Sequence, residues 1–185
     1  GVMSFIVLLF ILSAEIIFRL VVEIREWRLF NKKIPFAFFR CVPILNDFFP
    51  FPENLHEEPK PSKFMVAHEE AHKRLHHKLL RNLLKLCFYS LMVLLIVILL
   101  GEWRFSLLEI VLWFHIALGI FRLFYHRICW NQEEEADKLA RDSVGKNEAK
   151  RELSKLEKAE NPSSLLFAFL YKEHPPAFSR RMNLN

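Results

Sequence analysis

Two histidines four residues apart are the first candidates for chemistry in this chain of 185 residues. They enclose the segment His68-Glu69-Glu70-Ala71-His72. On a helix, residues four apart share one face, so both imidazoles could bind one Zn²⁺ at roughly 2.0–2.1 Å. Glu69 flanks that face and could accept a proton from a water whose pKa the zinc lowers toward about 7. The spacing predicts a catalytic zinc site, and the alternative is an amphipathic helix with surface histidines.

A hydrolytic zinc site uses three protein ligands and one open position, so a third ligand must come from elsewhere. A histidine at position 78 would suit the metzincin spacing, but that residue is Lys78. Downstream, the acidic segment 133–137 reads Glu-Glu-Glu-Ala-Asp. One of its glutamates could return to the metal if the apolar region between folds back. The alternative is a solvated acidic first turn that the helix dipole stabilises.

Three apolar runs must position these residues: Met3 to Val22, Leu86 to Leu100 and Phe105 to Phe121. Twenty residues at about 1.5 Å each cover the roughly 30 Å of a bilayer core. Tryptophans lie just beyond the ends of the runs, where indole rings prefer the interface: Trp27, Trp103 and Trp130. We therefore predict a retained N-terminal anchor and a membrane hairpin, with a buried soluble hairpin as the alternative.

The chain divides by composition into an anchor (1–30), a Phe- and Pro-rich interfacial linker (31–61) and a core (62–185) that contains the hairpin at 86–121. The linker could include a short edge strand. Ser62 is the expected N-cap of one helix that runs without interruption through the histidines into the second apolar run. Asn131 to Glu160 predicts two solvated helices separated at Gly145.

The last part of the chain predicts short elements. Leu165 to Tyr171 is a short apolar segment, and His174-Pro175-Pro176 begins a terminal helix or cap.

Charge indicates the orientation. Twelve Lys and Arg residues lie between Glu23 and Lys85 and twelve after Phe121, whereas the hairpin turn has only Arg104. Both long polar segments should therefore be cytoplasmic and the N-terminus outside. The net charge of +5 fits anionic lipid as the partner, and no motif indicates nucleic acid.

Cys41, Cys87 and Cys129 lack a CxxC pair, which argues against a disulfide framework or a thiolate zinc site.

Three short motifs follow one another along the chain: HEEAH at 68–72, EEEAD at 133–137 and HPPAFSR at 174–180. Together with the hairpin, they resemble the membrane-integrated gluzincin peptidases that include HtpX and the CAAX prenyl endopeptidases, from about Lys63 to Met182. The apolar runs, the charge distribution and this resemblance together predict a mostly α integral membrane protein with about three transmembrane helices and a cytoplasmic zinc-peptidase core.

The same resemblance assigns the site. Glu133 would be the third ligand to one Zn²⁺ per chain, after His68 and His72, with Glu134 as the other candidate. Asp137 would orient a ligand histidine. Catalytic donors to the scissile carbonyl or the substrate backbone would be His174 and Arg180, with the neighbouring Arg181 able to substitute for Arg180.

The expected function is zinc-dependent endoproteolysis, with Glu69 as the base. The substrates would be peptides or membrane proteins at the cytoplasmic face of a cell membrane of prokaryotic type, and the other partner is the lipid bilayer.

Two other functions remain open. His72, His76 and His77 form a box like those of di-iron membrane desaturases and hydroxylases, although His56, His115, His126 and His174 stand alone. A non-catalytic membrane scaffold would need a closed structural zinc site, which His76 would have to complete. In the peptidase interpretation, His76 and His77 lie at the interface or beside the ligands.

Overall fold

The computed structural model describes residues 1–31, 37–48 and 60–185. The regular elements are α1 (Val2–Phe30), a 3₁₀ helix (Ala37–Cys41), α2 (Leu45–Phe48), α3 (Lys63–Arg74), α4 (His77–Gly101), α5 (Leu107–Val144), α6 (Lys146–Ala159), α7 (Leu165–Tyr171) and α8 (Ala177–Met182). No strand occurs in the described residues, which confirms the mostly α class.

The helices form two compact units. The first contains the described residues of Gly1–Pro52 and of Lys85–Arg122, and the second those of Glu53–Leu84 and of Leu123–Asn185. Helices α4 and α5 each contribute to both units. The predicted division into anchor, linker and core stays a prediction, and residues 32–36 and 49–59 of that linker lie outside the described residues.

Helices α1, α4 and α5 are long and apolar enough to cross a membrane, as the sequence predicts. A small core around Leu8, Leu12 and Leu112 holds the first unit together. Most other apolar side chains on these helices are exposed, for example Leu91 at 61% and Val93 at 63%. A soluble protein rarely exposes so much apolar surface, so this surface fits contact with lipid better than contact with water.

Several predicted helix ends are confirmed. Helix α1 ends at Phe30, and Asn31 follows in the left-handed region with φ of 49°. Ser62 caps α3, because its Oγ accepts a hydrogen bond from the Met65 N–H at 3.2 Å. Gly145, with φ of 95°, separates α5 from α6.

The predicted uninterrupted helix from Ser62 into the second apolar run is wrong. Helix α3 ends at Arg74 and α4 begins at His77, and His76 between them has φ of 56°. Neither Gly nor Pro marks this break in the sequence. Histidine adopts the left-handed region more readily than most residues other than glycine, which allows the chain to turn here without either signal.

The predicted pair of solvated helices over Asn131 to Glu160 is also partly wrong. Asn131 begins no new helix, because α5 continues from the apolar run to Val144. One face of this charged part is buried rather than solvated: Ala140 is fully buried and packs with Phe64 of α3. In the linker, Ala37–Cys41 and Leu45–Phe48 are helical, so the edge strand is not found in its described part.

An ionic network in the first unit joins the segment 37–48 to α1 and α5. The Asp47 carboxylate binds Nδ1 of His115 and also accepts a hydrogen bond from Arg122. On its other side, His115 Nε2 lies 2.9 Å from the Glu15 carboxylate. Glu15 also forms an i, i+4 ion pair with Arg19 at 2.8 Å. Ionisable groups within a membrane span need partners inside the protein. His115 provides one for both carboxylates, and it thereby links elements that are far apart in sequence.

Replacing His115 tests this network. The substitution His115→Phe keeps an aromatic ring but leaves the Glu15 and Asp47 carboxylates facing each other without a donor between them. We expect a loss of about 3 kcal/mol in unfolding free energy, measured by denaturant titration in detergent micelles. The control Glu102→Gln changes an exposed charge in the hairpin turn. Equal stability of the two variants would contradict a structural role.

Candidate metal centre

The candidate site lies where α3 packs antiparallel to the C-terminal half of α5, in the second unit. His68 of α3 contacts Asp137 of α5. One turn further along α3, His72 contacts Glu133, which lies one turn before Asp137 on α5. Residues four apart on each helix therefore face each other as two pairs. The fully buried Ala140 continues this face of α5, and its small side chain allows α3 to approach closely.

Three donor groups converge between these helices. Nε2 of His68 lies 3.0 Å from Oε2 of Glu133, and Nε2 of His72 lies 3.3 Å from Oε1. The two Nε2 atoms are 3.0 Å apart. Zinc bonds of about 2.0–2.1 Å in a tetrahedron place neighbouring ligand atoms about 3.3–3.4 Å apart. Two imidazoles and a carboxylate at this spacing therefore fit three corners of a zinc site.

Glu134, the other candidate for the third ligand, points elsewhere. Its carboxylate pairs with Lys138 at 3.0 Å, and its side chain is 41% exposed. Within the described residues, the one group of His, Cys, Asp and Glu side chains suited to a metal is His68, His72 and Glu133.

Asp137 fixes the ring of His68 from behind. Nδ1 of His68 donates to Oδ1 of Asp137 at 2.8 Å, and Arg180 donates to both oxygens at 2.8 Å. Burial opposes the charged imidazolium, but hydrogen bonds to the Asp137 and Glu133 carboxylates raise the pKa of His68 to about 9. A metal at this site would displace that proton, because a ligand histidine must have a free ring nitrogen.

A cavity of about 510 Å³ opens beside the three donors. It is lined by Glu69 and His174, which are both exposed, and by the buried Arg180. Arg181 is not among the lining residues and instead pairs with Glu157 at 3.1 Å. The structure therefore brings all the predicted site residues into one place, and Arg181 is not positioned to substitute for Arg180.

Two further side chains contact the site, and the sequence interpretation assigns no role to the first of them, Arg81. Arg81 donates to Oε1 of Glu133 at 3.2 Å and to the Gln132 side chain at 2.6 Å. His77, expected at the interface or beside the ligands, lies next to His72. The sequence does contain one indication of these contacts. His77 and Arg81 are four apart on α4, shortly after the histidine motif, so they share one face of that helix.

Comparison with known proteins decides the family. Residues 54–185, well over half of the chain, match Peptidase family M48. The chain belongs to this family. It is therefore a metallopeptidase, of a family that is zinc-dependent in general. Family membership and three apolar helices indicate a membrane protein. No curated protein and no solved structure gave a significant match.

The other two functions gain no support. His115 belongs to the ionic network of the first unit, and His126 bonds the Phe169 carbonyl oxygen at 2.6 Å. His76 is exposed, so it does not close a four-ligand shell. His56 lies outside the described residues. Among the histidines that the structure describes, no second cluster provides for a second metal.

The geometry distinguishes Glu133 from its neighbour. We expect Glu133→Gln to weaken zinc binding by more than about 100-fold, because a charged ligand is lost from a site of three. The matched change Glu134→Gln should leave the Kd for zinc unchanged. Competition with a chromogenic chelator on the full chain in detergent measures both values. Weaker binding in Glu134→Gln alone would show that the assignment is wrong.

Proposed function

We propose that this M48 peptidase is a zinc-dependent endopeptidase of the gluzincin type that cleaves peptides or membrane proteins near the cytoplasmic face. One observation carries the proposal: the two imidazoles and the carboxylate converge beside a cavity that Glu69 and His174 also line. When bound, one Zn²⁺ would polarise the scissile carbonyl and lower the pKa of a water toward about 7.

Glu69 is the proposed general base. It follows the ligand His68 directly, so its carboxylate starts from the next position around α3, and it lines the cavity where a substrate would enter. Its exposure leaves the carboxylate free to accept a proton from the attacking water. The same carboxylate would then return the proton to the leaving amine, which couples bond formation to departure of the product.

His174 and Arg180 are the proposed donors to the developing oxyanion. The exposed imidazole of His174 lines the cavity, although His174 is far from the metal motif in sequence. Arg180 uses Nε and one terminal nitrogen on Asp137. A guanidinium has five N–H donors, so others remain for a substrate carbonyl. Arg180 would thus hold Asp137 in place and donate to the substrate as well.

Charge supports a cytoplasmic site. The two segments rich in Lys and Arg run from Glu23 to Lys85 and from Phe121 onward, and positively charged segments stay on the cytoplasmic side. The hairpin turn and the N-terminus would then face outward. A cell membrane of prokaryotic type is the proposed location.

The base assignment predicts a specific loss. Glu69→Gln should lower the rate of casein or peptide hydrolysis by about 10²- to 10⁴-fold, because the water loses its proton acceptor, while zinc content stays unchanged. The matched control is Glu70→Gln, an exposed neighbour that does not line the cavity. A Glu69→Gln enzyme with wild-type activity would rule out this mechanism, and removal of zinc with a chelator should abolish activity in every variant.

The orientation predicts different reagent access at two positions. In a chain without Cys41, Cys87 and Cys129, the variant Glu102→Cys in the hairpin turn should react with a membrane-impermeant maleimide in intact bacterial spheroplasts. The variant Lys158→Cys, at an exposed position of α6, should react only after the membrane is permeabilised. The reverse pattern would contradict a cytoplasmic site.

A further inference from the structure

A second hydrogen-bond chain supports the metal site from the side of His72. Nδ1 of His72 lies 2.8 Å from Nδ1 of His77, and Nε2 of His77 lies 3.2 Å from Oε2 of Glu135. His77 is buried, with only 5% of its surface exposed. The Glu135 side chain is 56% exposed. The chain of contacts therefore runs from the buried donor cluster to the surface through one imidazole.

The break between α3 and α4 makes this contact geometrically possible. On an uninterrupted helix, residues advance about 100° each, so His77 would lie about 140° around the axis from His72. The break at Leu75 and His76 turns the following helix, and His77 comes back beside His72. A left-handed residue other than glycine costs roughly 1 kcal/mol, and such conformations cluster at functional sites.

The protons of this chain have one consistent arrangement. Nε2 of His72 faces Glu133 and His68, and must be unprotonated to bind a metal. Its proton then sits on Nδ1, which donates to Nδ1 of His77. His77 in turn carries its own proton on Nε2, which donates to Glu135. Each ring nitrogen of the two histidines has one defined role in this arrangement.

We propose that His77 is a positioning residue that holds His72 in the tautomer that presents Nε2 to the metal, with Glu135 fixing His77 in turn. His68 receives the equivalent support directly from the Asp137 carboxylate. The partner of His72 is a neutral imidazole instead, so the relay must reach Glu135 before it meets a negative charge. The inference rests on the proposed function, because it requires His72 to be a ligand.

Zinc affinity of the full chain in detergent tests the role of His77. His77→Phe keeps a ring but removes the acceptor, and we expect the Kd for zinc to rise by about 10- to 100-fold. His77→Gln retains an acceptor oxygen and should recover most of the affinity. The matched control His76→Gly removes the neighbouring exposed imidazole and suits the left-handed backbone, so its Kd should equal that of the wild type.

Three outcomes would overturn the proposal. Wild-type zinc affinity in His77→Phe is the first, and an equal loss in His77→Gln and His77→Phe with unchanged thermal unfolding of the metal-free proteins is the second. If His77→Phe fails to fold, Glu135→Ala decides, because its side chain is largely exposed. An increase of its Kd by about threefold or more supports the relay, and an unchanged Kd is the third contradicting outcome.

The variant His72→Ala separates this inference from the proposed function. Loss of zinc in His72→Ala together with wild-type affinity in His77→Phe would refute only the role of His77. Wild-type affinity in His72→Ala would refute the ligand assignment itself, and the proposed function with it.

Discussion

The metal centre depends on the hydrogen bonds that the buried carboxylate of Asp137 accepts. A carboxylate removed from water needs several donors, and Asp137 has His68 from α3 and two N–H groups of Arg180 from α8. One side chain of α5 thereby ties together two helices from distant parts of the chain. Glu160 strengthens the arrangement, because its carboxylate accepts the Ala177 N–H at 2.7 Å where α8 begins. These hydrogen bonds fix the orientation of the His68 ring.

Much of this site was predictable because it rests on helical periodicity. His68 and His72 are four apart, and so are Glu133 and Asp137, so each pair shares a helix face whatever the tertiary structure is. The resemblance to a family then indicates that the two faces meet. The position of His77 was not predictable in the same way, since it requires the left-handed His76, for which the sequence carries neither Gly nor Pro.

The other differences between the sequence-based expectation and the structure arise where a change in composition leaves the backbone unchanged, and where partners are far apart in sequence. The change from apolar to charged residues near Asn131 predicts a boundary, yet nothing there interrupts the backbone hydrogen bonds, and α5 continues to Val144. In the first unit, Glu15 and Arg19 are four apart on one helix, and this spacing allows them to pair whatever the tertiary structure is. Partners far apart in sequence, such as His115 with Asp47 and Arg40 with Glu23 at 2.7 Å, depend on packing that spacing does not reveal.

X-ray absorption spectroscopy of the purified zinc-loaded chain tests the central claim most directly. The account predicts one zinc per chain, bound by nitrogen and oxygen atoms at about 2.0–2.1 Å. It also predicts the scattering pattern of two imidazoles, which should fall to one in His72→Ala if that variant retains metal. A sulfur ligand, four imidazoles, or two metals per chain would contradict a site built from His68, His72 and Glu133.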